Sequence, residues 1–105
     1  MAWISSGRVI NPVLDFVLLD TGALFTGSRT PQVIVSSTVA SAFELQWRDS
    51  ANAATLKSQI LACPAFDTND FVLWSGIEMA LNERLRIVQV AAVTGSVSVS
   101  LFYQP

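Results

Sequence analysis

The chain has 105 residues, enough for one compact core and too few for two. Apolar residues make up 51% of it and charged residues only 13%, with a formal net charge of −2; the charged share is about half that of an ordinary globular domain. Part of the apolar excess must lie on the surface of a monomer, so burial against partners is expected, in a homo-oligomer or an assembly.

Residues 1–12, "MAWISSGRVINP", have no sustained period and end in the Asn11-Pro12 break, so they read as an N-terminal arm. Trp3 and Ile4 on that arm gain nothing in water; the arm either folds back on its own domain or docks on a neighbour. From residue 13 to 105 the chain reads as one domain. Short runs rich in Val, Ile, Phe and Leu alternate with turn clusters about every 8 to 12 residues, the spacing of an all-β sandwich or barrel. The expected strands are Val13 to Leu19, Gln32 to Ser37, Ala42 to Arg48, Leu56 to Ala62, Phe71 to Trp74, Ile77 to Ala80, Arg84 to Val93 and Ser96 to Tyr103. "AFELQWR" alternates Phe43, Leu45 and Trp47 with Glu44, Gln46 and Arg48, the pattern of a half-buried strand whose Trp47 belongs to the core. "ANAATLKSQI" contains good helix formers behind Ser50, and a short helix is its rival reading. Thr94-Gly95 stands between the last two runs as the turn of a hairpin. In either register that hairpin carries apolar residues on both faces, and a second subunit is the expected cover for one of them. The expected fold class is an all-β, single-domain antiparallel β-sandwich, jelly-roll-like, with about eight short strands.

Six scattered cations (Arg8, Arg29, Arg48, Lys57, Arg84, Arg86) form no stripe for phosphates, so no nucleic-acid partner is expected. Apolar runs such as "FVLL" and "VQVAAV" are far shorter than the roughly 20 residues of a membrane span. The N-terminus lacks the pattern of a signal peptide, and a soluble protein away from membranes is expected. Cys63 is alone and reads as a buried, inert thiol, which fits a reducing compartment. The absence of histidine removes Ser-His-Asp and Cys-His systems and the commonest zinc sites, leaving carboxylates for any acid-base chemistry. No catalytic residue, cofactor or metal is expected.

One stretch points the other way. "VLLDTGAL", around Asp20-Thr21-Gly22, resembles the catalytic loop of retroviral-type aspartic proteases, homodimers in which two such carboxylates share a proton. That resemblance implies a protease using Asp20, the alternative to a non-enzymatic protein. The family also has a glycine-rich flap and a later aliphatic-aliphatic-Gly motif leading into a helix. Here no glycine lies between Gly27 and Gly76, and Val93-Thr94-Gly95 runs into the strand-like "SVSVSLFY". The simpler expectation is a structural turn: Asp20 ends a strand and caps nearby N-H groups, Gly22 and Gly27 make a wide turn, and Gly95 makes the last one.

Taken together, "LLDTGAL", "VIVSSTVASAFELQWRDSANAATLKSQI" and "LNERLRIVQVAAVTGSVSVSLFY" resemble small β-sandwich virion proteins of tailed bacteriophages that decorate or cement the capsid. The resemblance implies a non-enzymatic subunit that binds the major capsid protein and stabilises the shell, made in the host cytoplasm and localised to the virion. A phage tail or fibre binding module is a further alternative. The expected interface residues are Trp3 and Ile4 on the arm, Phe66 and Trp74 near loops, and Leu85, Ile87 and Phe102 on the final hairpin.

Overall fold

The computed structural model describes residues 2–22, 25–74 and 77–103, with the backbone alone described at residues 2, 25–29 and 77. Its strands are β1 (Ala2–Ser5), β2 (Val9–Ile10), β3 (Val17–Asp20), β4 (Phe25–Arg29), β5 (Gln32–Ser37), β6 (Ser41–Arg48), β7 (Thr55–Cys63), β8 (Asp67–Val72), β9 (Ile77–Gln89) and β10 (Ser96–Tyr103). They form two antiparallel sheets. In the first the order is β1-β10-β5-β8, with β2 also paired to β10; in the second it is β3-β9-β6-β7, with β4 also paired to β9. With β1/β2 and β3/β4 counted as one strand each, this is the eight-stranded order of a jelly roll. On that count the chain changes sheet at every connection except β6 to β7, which is the one hairpin among the described strands.

The core forms where strand alternation from the two sheets meets. Val33 and Val35 of β5 and Val97, Val99 and Leu101 of β10 project inward from one sheet. Phe43 and Leu45 of β6, Leu61 of β7 and Leu85 and Ile87 of β9 project from the other, and all ten are 2% exposed or less. Each side chain of this size contributes roughly 1.5–3 kcal/mol by leaving water. The polar alternates, among them Ser36, Ser98, Glu44 and Arg86, fall on the outer faces, as period-two patterning requires.

Several expectations need correction. The closing hairpin does not form: β9 pairs with β3, β4 and β6, whereas β10 pairs with β1, β2 and β5. Both flanks of each strand are already occupied, and residues 90–95 cross between sheets. Gly95 serves a close approach rather than a tight turn. A Cβ there would stand 2.8 Å from both Thr38 Oγ1 and Val39 Cγ1.

The two strands expected at 77–80 and 84–93 are a single strand, β9, bulged near Asn82 at φ 67. Glu83 Oε1 accepts from the Ala80 N-H at 2.6 Å and from Trp47 Nε1 at 3.2 Å, which ties the bulge to β6. Gly27 lies within β4 rather than in a turn; "FTGSR" has no apolar alternation, and its strand state comes from pairing with β9. Ala23 and Leu24 of the expected wide turn lie outside the described residues. "ANAATLKSQI" ends in the edge strand β7 and not in a helix. Thr55 to Ile60 are exposed on both faces of β7, so no alternation marks them. The strand expected at 71–74 starts earlier, at Asp67, and ends at Val72. The arm supplies β1 and β2 along β10 of its own domain.

Candidate functional site

The Asp-Thr-Gly turn is closed by a local hydrogen bond and anchored to β9. Asp20 closes β3, its Oδ1 accepts the Gly22 N-H at 2.7 Å, and Gly22 sits at φ 69, where glycine is unstrained. Thr21 is buried against β9: its N-H donates to the Leu85 carbonyl at 3.0 Å and its hydroxyl accepts from the Leu85 N-H at 3.1 Å. Asp20 Oδ2 lies 3.7 Å from Arg84 Nη1. These are the contacts of a carboxylate that shapes a turn, as expected for Asp20 and Gly22.

The adjoining outer face of the second sheet is polar. Arg86 Nε donates to Gln46 Oε1 at 2.5 Å, and the Gln46 amide donates onward to Glu44 Oε1. Arg48 donates to Asn52 and Thr55 and so pins the β6–β7 connection. Partial burial lowers the Arg86 pKa, assisted by Arg48 and Arg84 and opposed by Asp20 and Glu44. Cys63 is buried; its thiol donates to the Asp67 carbonyl at 3.2 Å, and burial pushes its pKa up, so it has little thiolate character. Among the described residues no group of three or more His, Cys, Asp or Glu is placed to hold a metal ion.

The expected interface residues range from exposed through half-buried to fully buried. Trp3 is 63% exposed and stacks on half-buried Phe102, with ring centroids 5.9 Å apart and planes 19° from parallel. Ile4 and Trp74 are half-buried against the core, and Lys57 Nζ lies 6.0 Å from the Trp74 ring centre. Phe66 is 87% exposed at the tip of the β7–β8 turn. Leu85 and Ile87 are corrected: both are 0% exposed between the sheets, because β6 and β3 flank them and their side of β9 faces inward.

A larger apolar surface was missed by the strand expected at 13–19. Residues 13–16 form a turn instead, with the Phe16 N-H bonded to the Val13 carbonyl at 3.2 Å and Asp15 at φ 63. Ile10, Val13, Leu14, Phe16 and Val17 therefore face outward, each 40–59% exposed. The signal was present in "NPVLD", where Pro and Asp are turn formers at such spacing.

No protein-family model matches the chain, and no curated protein matches it significantly. The fold and these surfaces therefore carry the functional reading alone.

Proposed function

We propose that this protein is a virion structural subunit that binds the capsid surface through the major capsid protein and stabilises the shell, as a decoration or cement protein. The run Ile10–Val17 carries this reading: five large apolar side chains exposed within eight residues, on a chain with 13% charged residues. Clustered apolar surface of this kind is retained where a partner covers it. Jelly rolls recur in viral shells, an analogy of fold that supports the reading without assigning it. Tested on capsids assembled from a major capsid protein that the wild-type chain binds, Phe16→Asp and Leu14→Asp should each weaken co-sedimentation about 30-fold, the effect of losing roughly 2 kcal/mol at an interface hot spot. Their melting temperatures should stay near wild type. Undiminished binding by both variants would overturn the assignment.

The open edge of β7 supplies a route to the homo-oligomer. Its only strand neighbour among the described residues is β6, and an open edge offers free main-chain donors and acceptors to another strand. Antiparallel self-pairing about a two-fold axis at Ser58 places Leu56 opposite the second copy's Ile60, both about half exposed, and Lys57 opposite its Gln59. Centring on Lys57 would oppose two lysines, which is unfavourable. Gln59→Lys should therefore weaken dimerisation and Gln59→Glu strengthen it, each about fivefold from two altered cross-strand pairs. Light scattering over a concentration series measures this; equal effects from the two variants would exclude this register.

A further inference from the structure

The outer face of the first sheet carries a groove of about 380 Å³ bordered by Arg8, Phe66 and Asp67. That volume lies at the small end of ligand sites. Its floor is a row of hydroxyls made by register: Ser98 of β10 pairs with Ser36 of β5, which pairs with Thr68 of β8. Neighbouring strands are about 4.8 Å apart, so the three hydroxyls form an evenly spaced line. None of them has a hydrogen-bond partner in the protein among the described residues, and Arg8 has no ion-pair partner there. Asp67 uses Oδ1 to accept the Thr68 N-H at 2.8 Å.

Phe66 stands at one side in an unfavourable conformation. Its φ is +55, a left-handed region that is sterically unfavourable for a bulky L residue. Trp74 has a similar φ of 54 but packs half-buried against the core. Phe66 is 87% exposed and gains little from packing in return. A strained, solvent-facing aromatic beside unpartnered polar groups has the features of a recognition platform.

We propose that this groove binds a carbohydrate, with Phe66 stacking on a ring face while Arg8, Asp67 and the hydroxyls of Ser36, Thr68 and Ser98 bind the sugar hydroxyls. Sugar hydroxyls both donate and accept, which matches a donor-only guanidinium, an acceptor carboxylate and three dual-purpose hydroxyls. The C-H face of a pyranose matches an exposed aromatic ring. An inorganic oxyanion fits less well, because Asp67 would repel it. The assignment rests on the groove alone and is independent of the capsid reading.

The test is a printed glycan array, combined with NMR titration of the ¹⁵N-labelled protein by oligosaccharides of glucose, galactose, mannose and N-acetylglucosamine, and by sodium phosphate. At least one sugar should shift the amide signals of Ser36, Phe66 to Thr68 and Ser98. Phe66→Gly should weaken that binding at least tenfold while raising the melting temperature by about 4 °C, since glycine relieves the strained φ. Arg8→Ala should weaken binding with the melting temperature unchanged. A blank array together with a silent titration, shifts produced by phosphate alone, or full affinity in Phe66→Gly would each overturn the proposal.

Discussion

Leu85→Ala should lower the unfolding free energy by about 3 kcal/mol, the mid-range cost of a wholly buried Leu→Ala change. Leu85 is 0% exposed, lies opposite Trp47 of β6, and has both main-chain groups bonded to Thr21. The neighbouring main chain is tied on both flanks, so it cannot collapse into the space left, and a cavity remains. For a domain of this size the loss corresponds to more than about 12 °C in melting temperature. Leu81→Ala on the same strand is the control: that side chain is 70% exposed and its removal should change stability by no more than about 0.5 kcal/mol. Urea denaturation followed by circular dichroism measures both. A cost under about 1 kcal/mol at Leu85 would contradict its place between the sheets.

Gly95→Ala should cost about 2–3 kcal/mol, the scale of overpacking a filled site. The added Cβ would stand 2.8 Å from Thr38 Oγ1 and Val39 Cγ1. Thr38 cannot swing away freely, since its Oγ1 accepts from the Ser96 N-H at 2.9 Å and its own N-H donates to the Ser96 carbonyl at 2.9 Å. Steric overlap adds here to a φ of 152 that L residues rarely adopt, whereas at Gly22 a Cβ would meet open space and only the left-handed backbone would resist it. Combining Gly95→Ala with Val39→Ala should recover part of the loss, because one of the two clashing side chains is shortened. Thermal unfolding of the two single variants and the double variant tests this. Additive losses would mean that the crowding is not at Val39.

Gly95→Ala probes a crossing between sheets, and at the crossings sequence and structure differ most. β5 and β10 have the bounds expected of them, and β6 begins one residue before its expected start. Each carries its own evidence: inward Val, Leu or Phe at every second position along a strand with one wet face. The Asp20 turn was equally legible, because Asp and Gly two residues apart can satisfy each other without distant help. β4 was not legible, since "FTGSR" becomes a strand only when β9 is beside it. The exposed half of β7 was also obscure: a strand projecting past the core loses the alternation that would identify it.

The surfaces offered for binding depend still more on distant partners. Ser36, Thr68 and Ser98 are unremarkable as separate polar alternates, and they become one row only through the β10-β5-β8 register. Leu85 and Ile87 looked available because Thr94-Gly95 fits a hairpin turn as well as it fits a sheet crossing. By itself the sequence determined the all-β class, the inward and outward sets of the central strands and the Asp20 turn, all of which follow from a period of two residues or from contacts within a turn. Only the tertiary structure decided which sheet receives β9 and β10, which apolar residues remain outside and where the groove lies. Those outcomes depend on pairing between strands far apart in the chain, and a local pattern does not encode the choice of neighbour.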